Sequence, residues 1–526
     1  MTSAEEKITV DHHEEEGVDL KAQHESVYDI LPDWGRPWYK TPHLLHLNLI
    51  LFFTFLSGIY NGYDNSLLNG LQSMPEWETY FGSPAGAKLG ATSNGMLYGN
   101  LLALPFTSFF CDRLGRVRTL LIGASVVIIG VIIQTASQNF AMYTVGRFIL
   151  GFGVLLSTTA SPLLIAEVTY PTHRPYVTAC SQALYGLGGI IASWTTYGTS
   201  NWSNGSSWMW RTPLIIQMLF PLLQLSALYW IPESPRWHVS RGNIAKAREF
   251  LLKYHAGGDE AKGGQLVEYE LAEITYAIEM DKQREGIQWF DFFRTKANLH
   301  RLFIIVYLPV LTQLSGNAVL SYFLHIVLDN AGITSSHQQL IFNGCLSVFN
   351  FVIGLVSLTT IEKVGRRRMF LIGSFFNMIN YTIFTILSAR NAQEDFKNQS
   401  LSKGVIAMIF IFYLFFVMAY LAIPTTYMTE VVPFHLRAKG YVIHTFFLTG
   451  VLLFNGFVSP IAMGAISWKY YILYCCLNLV NFIVIYLFFP ETKRLSLEEV
   501  NRVFGEDVLT DAHIIEEVEQ AHNGRA

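Results

Sequence analysis

The heptapeptide "DRLGRVR" at residues 112–118 recurs in altered form as "EKVGRRR" at residues 362–368. Each copy follows the second long apolar segment of its half of the chain. A second related pair, "LLIAEVTYPTHR" at 163–174 and "YMTEVVPFHLR" at 427–437, follows the fourth apolar segment of each half. Two motifs that recur at matching places imply that the chain consists of two homologous halves.

The composition indicates a membrane protein. The 526 residues are 51% hydrophobic and 14% charged, whereas soluble proteins carry about 25% charged residues. A spanning helix needs about 20 mostly apolar residues, and hydropathy predicts twelve such segments. They fall at 44–66, 91–111, 119–137, 140–163, 176–197, 210–231, 301–328, 338–361, 369–389, 404–428, 437–461 and 468–489. The second and seventh segments are the most polar of the twelve.

We therefore expect an all-α membrane protein with twelve transmembrane helices in two pseudo-symmetric six-helix halves, joined by a cytoplasmic helical loop. In that loop, residues 243–255 and 266–285 have the apolar spacing of amphipathic helices. The basic loops at 112–118, 172–175, 362–368 and 434–440 predict that both termini and this loop are cytoplasmic. The expected divisions are an N-terminal tail 1–43, a first half 44–231, a linker 232–300, a second half 301–489 and a C-terminal tail 490–526.

The repeated loops predict a network of charges at the cytoplasmic end. The glycine of each loop permits its turn, and the basic residues can reach Glu167 or Glu430 at the end of a neighbouring helix. We expect such ion pairs to latch the halves together in one conformation and to separate in the other. A purely topological role for the basic residues is the alternative. The predicted network comprises Asp112, Arg113, Arg116, Glu167, Arg174, Glu233, Arg236, Glu362, Arg366, Arg367, Glu430, Arg437 and Glu491.

Asp64 lies at the end of the first apolar segment, in "NGYDNSLLNG" at residues 61–70. An acid at membrane depth costs about 2.5–3.5 kcal/mol, so it indicates a functional site. Arg147 in the fourth segment is the expected counter-charge, because Gly151 and Gly153 follow it and permit close helix contact. A static ion pair that only fixes helix packing is the alternative.

Six motifs in the same order resemble the sugar porter family of the major facilitator superfamily. They are "DRLGR", "GRFILGFG" (146–153), "PESPRW" (232–237), "QLSGN" (313–317), "EKVGRRR" and "PETKRLSLEE" (490–499). The stretch "GYDNSLLNGLQ" (62–72) is further similar to the fungal lactose permease and cellodextrin transporter branch. The resemblance implies a sugar site between the halves, alternating access, and proton coupling through an aspartate at the Asp64 position facing Arg147.

Sugars are bound by side-chain amides and hydroxyls, which both donate and accept hydrogen bonds. The resemblance implies sugar contacts for Gln182, Gln313 and Asn350, with Asn317, Tyr322 and Asn455 as further candidates. Hydrogen bonding between helices is the alternative for each amide. Thr312 and the position of Asn317 depart from the family pattern, which fits a larger or differently held sugar than a hexose.

These features predict a plasma-membrane importer that couples a proton to a disaccharide of the cellobiose or lactose kind. A passive facilitator and a non-transporting sugar sensor are the alternatives. We expect a monomer whose partners are the sugar, the proton and the lipid bilayer, without nucleic acid. Enzyme, cofactor and metal functions are not expected, because neither a Ser-His-Asp set, a phosphate loop nor a metal-ligand cluster is visible in the sequence.

Overall fold

The computed structural model describes residues 31–32, 34–202, 206–227, 229–283, 290–396, 398–421, 423–433, 436–493, 500 and 502–505, without the side chains of 174–176, 178–179, 181–182, 280–283, 358–359, 361–362 and 438. The regular structure in these residues is entirely helical. The all-α prediction is therefore confirmed, and the helices follow the order of the twelve predicted segments.

The first half contains six long helical segments, which we number in chain order. They are the first (Pro42–Thr54 and Leu56–Gln72), second (Gly86–Ser93 and Gly95–Leu114), third (Arg116–Thr135), fourth (Phe140–Val168), fifth (Arg174–Ser200) and sixth (Trp208–Ala227) helices. A short helix, Pro75–Tyr80, connects the first helix to the second. The third helix begins two residues after the second helix ends, so the first repeated loop is a tight turn.

The second half repeats this arrangement. It contains the seventh (Lys296–Gln313, Asn317–Tyr322 and Leu324–Asp329), eighth (Ser336–Val364), ninth (Arg366–Gln393), tenth (Gln399–Phe416, the π-helix Val417–Leu421 and Ile423–Val431), eleventh (Arg437–Ile466) and twelfth (Tyr470–Phe488) helices. Seven helical stretches in the described part of the chain are long and apolar enough to cross a membrane, judged by length and composition. These stretches do not include the second, fifth, sixth and seventh helices, of which the second and seventh are the most polar in the sequence.

The second helix packs closely against the fourth through glycine. An added Cβ at Gly99 would lie 2.0 Å from the backbone oxygen of Phe148, and one at Gly95 would lie 2.9 Å from Cβ of Arg147. Small residues at helix interfaces let backbones approach within a membrane bundle. The side chain of Arg147 therefore leaves the fourth helix at a point where the second helix lies directly against it.

The linker is helical and packs on the first half. Helices Ile244–Tyr254 and Glu260–Gln283 lie where amphipathic helices were predicted. His255 is fully buried between them: its Nδ1 lies 2.6 Å from Oε2 of Glu270, and its Nε2 lies 3.1 Å from the backbone oxygen of Val168. Both ring nitrogens of His255 thus lie within hydrogen-bonding distance of an oxygen atom. The imidazole thereby joins the linker to the end of the fourth helix.

The glycine contacts predict a specific loss of stability. Gly99→Ala is expected to lower the unfolding temperature, because the second and fourth helices must separate to admit the Cβ, and overpacking costs about 1–3 kcal/mol. Gly198→Ala is the matched control, because a Cβ there meets nothing within 4 Å and Ala is favoured over Gly in helices by about 1 kcal/mol. Thermal unfolding of the purified proteins provides the measurement. Equal unfolding temperatures for the two variants would contradict the prediction.

Candidate functional site

Asp64 lies in a buried cluster contributed by three helices. Its carboxylate has no exposed surface, and Arg147 is only 3% exposed. Arg147 Nη2 donates to Oδ2 of Asp64 at 3.3 Å, and Gln217 Nε2 donates to Oδ1 at 3.1 Å. Both carboxylate oxygens therefore have a partner, as a buried charge requires. The structure thus brings together the two residues that the sequence paired.

Gln217 was not predicted from the sequence. It is a fully buried amide of the sixth helix, within the apolar stretch "LIIQMLF" at 214–220. An isolated amide in an apolar segment is visible in the sequence, so Gln217 could have been singled out. The hydrogen bond of Gln217 with Asp64 could not have been predicted, because the first and sixth helices meet only in the folded bundle.

The ion pair consists of a single long contact. Its 3.3 Å separation lies beyond the usual 2.7–3.2 Å of N–H···O hydrogen bonds, and it lacks the two parallel bonds of the strongest arginine–carboxylate pairs. Arg147 Nε meets no acceptor among the described residues. The pair neutralises both buried charges, yet only one hydrogen bond has to be broken to separate them.

Six amide oxygens in the second half are buried without a hydrogen-bond donor among the described residues, those of Asn377, Asn391 and Asn478 and three that the sequence predicted as sugar contacts. The predicted three are Gln313 Oε1, Asn350 Oδ1 and Asn455 Oδ1. Asn455 and Gln313 are adjacent, since Asn455 Nδ2 donates to the backbone oxygen of Gln313 at 3.1 Å. An unsatisfied buried acceptor costs about 1–3 kcal/mol. These atoms are therefore suited to a ligand that supplies hydroxyl donors.

Asn317 and Tyr322 lie on the short middle piece of the seventh helix, which begins after Gly316. Ser321 between them donates from Oγ to Asn317 Oδ1 at 2.8 Å. The backbone oxygen of Ser321 accepts a hydrogen bond from Asn69 of the first helix. Tyr322 is half-buried and lies near both members of the buried ion pair. This piece of the seventh helix therefore connects the second half to the region around Asp64.

The predicted charge network forms two equivalent ion pairs. Arg116 Nη2 donates to Oε1 of Glu167 at 3.0 Å, and Arg116 Nε lies 3.0 Å from Oε2 of the same carboxylate in an ion-pair contact. In the second half, Arg366 Nη2 lies 2.8 Å from Oε1 of Glu430, whose Oε2 accepts from Thr492 Oγ1 at 2.6 Å. Each pair joins residues of one half, so it braces that half. The predicted latch between the halves remains a prediction.

Two further glutamates cap the helices that follow the repeated loops. Glu233 accepts from the backbone N–H groups of Arg116, at 2.9 Å, and Val117, at 3.2 Å. Glu491 accepts from the backbone N–H of Arg366 at 3.0 Å. The first N–H groups of a helix lack partners within it and favour an anion. Glu233 in "PES" and Glu491 in "PET" are thus equivalent, each following the last helix of its half.

The loop glycines make this capping possible. Gly115 has φ +99° and Gly365 has φ +103°, a backbone conformation that disfavours other residues. A Cβ at Gly115 would also lie 2.3 Å from Oε2 of Glu233, and one at Gly365 would lie 2.9 Å from Oε2 of Glu491. The glycine required for the turn is therefore also required for the approach of the carboxylate.

Other members of the predicted network interact mainly with backbone. Asp112 and Arg113 are exposed, and their carbonyl oxygens each accept from Arg241 Nη2 at 3.0 Å. Arg241 was not predicted, because its partners are backbone atoms that leave no pattern in the sequence. In the second half, Arg367 Nη2 donates to the backbone oxygen of Tyr486 at 2.7 Å.

Arg437 and Arg236 are two further members of the predicted network. Arg437 Nε donates to the backbone oxygen of Val432 at 3.1 Å. Arg236 is half-buried on the short helix Pro235–Ser240. Three predicted side chains lie outside the described part of the structure: those of Gln182, Arg174 and Glu362.

The two halves contact each other at the end of the bundle opposite the repeated loops. Asn94 Nδ2 donates to the backbone oxygen of Leu453 at 3.1 Å, joining the second and eleventh helices. Ser193 Oγ lies 2.9 Å from Ser347 Oγ and accepts from Asn343 Nδ2 at 3.2 Å, joining the fifth and eighth helices. These hydrogen bonds are uncharged, unlike the ion pairs near the repeated loops.

The fold is similar to that of solved transporter structures. The inward-open xylose transporter XylE of Escherichia coli superposes with a TM-score of 0.71 at 21% identity, covering 87% of this chain and 99% of that one. The proton:xylose symporter XylE bound to 6-bromo-6-deoxy-D-glucose gives a TM-score of 0.67 at 21% identity, with the same coverage. The chain therefore has the major facilitator superfamily fold.

Sequence relatives define the family. The profile of the family "Sugar (and other) transporter" matches residues 50–504. A high-affinity glucose transporter of Kluyveromyces lactis is 27% identical over 489 residues, 90% of this chain and 88% of that protein. A galactose transporter of Saccharomyces cerevisiae is 31% identical over 407 residues, 76% of this chain and 69% of that protein. The chain belongs to the sugar transporter family, whose members of this kind are carriers and not enzymes.

The capping glutamates predict paired effects in the two halves. Glu233→Ala and Glu491→Ala are each expected to lower the unfolding temperature, because the first N–H groups of the third or ninth helix lose their acceptor, a loss of about 1 kcal/mol. Glu249→Ala, at an exposed position of the linker helix Ile244–Tyr254, is the control. Thermal unfolding of the purified variants provides the comparison. An effect no larger than that of the control would contradict the capping role.

Proposed function

We propose that this carrier imports a sugar across the plasma membrane together with a proton. The observation that supports this most directly is the buried contact of Asp64 with Arg147, a single 3.3 Å hydrogen bond next to the part of the seventh helix that carries Asn317 and Tyr322. A charge pair that is fully buried yet held by one bond can change its protonation state without disrupting the rest of the bundle.

In the proposed cycle, Asp64 takes up a proton from outside and its contact with Arg147 loosens. Sugar binding between the halves then closes the outer side. On the inner side the proton leaves and the ion pair re-forms, which favours return of the empty carrier. One proton entering at 100 mV supplies about 2.3 kcal/mol from the membrane potential, enough to accumulate sugar about fiftyfold. Gln217 retains a hydrogen bond to Asp64 Oδ1 and would hold the side chain in place when it is neutral.

The proposed sugar contacts come from both halves. Gln313, Asn350 and Asn455 offer buried acceptor oxygens to sugar hydroxyls, and Gln182 would contribute from the fifth helix. The proposed cargo is a disaccharide of the cellobiose or lactose kind, as in the fungal lactose permease and cellodextrin branch, because Thr312 and the register of Asn317 differ from the hexose pattern. The glucose and galactose transporters among the relatives favour a hexose as the second candidate.

The proposed topology follows the positive-inside rule. Both termini and the linker, residues 232–300, lie on the cytoplasmic side, and the two six-helix halves extend over 44–231 and 301–489. The ion pair of Arg116 with Glu167 and that of Arg366 with Glu430 then lie at the cytoplasmic end. There they would brace each half as the two rock about the central site, and charges from this network would form the latch between halves in the outward-facing state. The proposed carrier acts as a monomer.

Uptake measurements test the proposed cargo and coupling. In cells without other sugar carriers, we expect the chain to take up labelled cellobiose or lactose, faster at acidic than at neutral external pH, with alkalinisation of the medium. Labelled glucose is tested in parallel. Uptake of glucose alone would replace the disaccharide by a hexose, uptake independent of pH would indicate a passive facilitator, and a chain that reaches the membrane without any uptake would indicate a sensor.

The variant Asp64→Asn separates proton coupling from packing. Asparagine keeps an oxygen that can accept from Gln217 but carries no charge. We expect accumulation against a gradient and its pH dependence to be lost, while exchange of labelled for unlabelled sugar continues. Asp329→Asn, at an exposed acid ending the seventh helix, is the matched control and should accumulate sugar normally. Unchanged pH-dependent accumulation in Asp64→Asn would rule out the coupling role.

A further inference from the structure

An apolar groove lies between the third and sixth helices, at the end of the bundle opposite the repeated loops. Its volume is about 290 Å³, and Ile132, Ile215 and Met218 line it together with Trp208 and Arg211 at the start of the sixth helix. Ile132 is 51% exposed and Ile215 38% exposed. Because these apolar side chains lie on the outer surface of a membrane bundle, the groove opens towards lipid.

Arg211 is the cation of this groove. Its Nη2 donates to the hydroxyl of Tyr80 at 3.1 Å and to the backbone oxygen of Ser137 at 3.3 Å. The guanidinium also packs over the rings of Tyr80 and Trp210, with 5.5 and 5.0 Å to the ring centroids. Arg211 Nε is buried without an acceptor among the described residues, and the ion pairs of that part of the chain do not include Arg211. The guanidinium is therefore positioned by its neighbours and is not paired with a carboxylate of the described residues.

The positions of Trp208, Arg211 and Met218 along the sixth helix indicate the chemical class of the ligand. Arg211 and Trp208 begin the sixth helix, and the first residues of a spanning helix lie at the depth of the lipid headgroups. Trp208 is 56% exposed, as expected for an interfacial aromatic residue. Met218, two turns further along the helix, lies at the depth of the acyl chains. Guanidinium groups bind phosphate oxygens with good geometry, whereas the lining below Arg211 offers apolar contacts.

We propose that this groove binds a phospholipid, whose phosphodiester pairs with Arg211 and whose acyl chain lies along Ile215 and Met218. The ligand must both form an ion pair with the guanidinium and fill the apolar part of the groove. A free phosphate cannot fill the apolar part, and a diacylglycerol carries no charge to pair with the guanidinium. A sugar would need the amide groups found between the halves, which this groove lacks among its described lining residues.

The bound lipid would contact the helix that supports the ion pair. Met218 lines the groove, and its chain neighbour Gln217 donates to Asp64 inside the bundle. Lipid bound here therefore stabilises the position of the sixth helix relative to the third. An effect of the lipid on transport rests on the proposed function, whereas its binding does not.

Binding can be tested on the full-length protein in a non-ionic detergent. Phosphatidylglycerol is the probe, and diacylglycerol with the same acyl chains and inorganic phosphate are the comparison ligands. We expect phosphatidylglycerol to raise the unfolding temperature and to appear as a retained adduct in native mass spectrometry. The comparison ligands should do neither at the same concentration. Arg211→Gln should weaken phosphatidylglycerol binding at least tenfold, while Lys469→Gln, at an exposed lysine at the same end of the bundle, should leave it unchanged.

A second variant keeps the test decisive if Arg211→Gln unfolds. Ile215→Trp fills the groove but leaves Arg211 and its contacts with Tyr80 and Ser137 in place, so it should abolish the lipid adduct without loss of folding. Equal phosphatidylglycerol binding by Ile215→Trp and the unmodified protein would overturn the proposal. Binding of diacylglycerol as tightly as of phosphatidylglycerol would also overturn it. Because these readouts do not involve sugar, they are independent of the uptake experiments.

Discussion

The buried carboxylate of Asp64 is the constraint on which the site depends. A charge with no exposed surface in a membrane bundle must be balanced by groups that the fold brings to it. Arg147 and Gln217 do so from the fourth and sixth helices, so three helices must keep their relative positions for the pair to exist. The contact of Gly95 with Cβ of Arg147 shows how closely that packing approaches the ion pair.

The same hydrogen-bonding requirement arises at both repeated loops and is met in the same way. A tight turn leaves the first N–H groups of the next helix without acceptors, and in each half a glutamate that follows the last helix supplies one. Glu233 and Glu491 thereby connect the end of each half to its third or ninth helix. This contact closes each six-helix unit on itself, which is the property that two units need if they are to move against each other as rigid bodies.

The ion pairs of the described bundle lie within one half or the other, whereas the described hydrogen bonds between the halves are uncharged. Asn94 and Ser193 join the halves through neutral hydrogen bonds, and such bonds contribute only about 0.5–1.5 kcal/mol each. Charged pairs such as Arg116 with Glu167 instead stay within one half.

Much of the fold and part of the site could be predicted from the sequence. Spanning helices are recognised from the length of apolar segments, and a buried charge has few possible partners. The helix order, the repeat and the pairing of Asp64 with Arg147 follow from such features. The hydrogen-bond partner of each buried amide cannot be predicted in this way, because it depends on how the helices are rotated and how closely they approach one another. Only the tertiary structure therefore revealed Gln217 at Asp64, the capping by Glu233 and Glu491, and the groove beside Arg211, because each is formed by segments that are distant in sequence and adjacent only after packing.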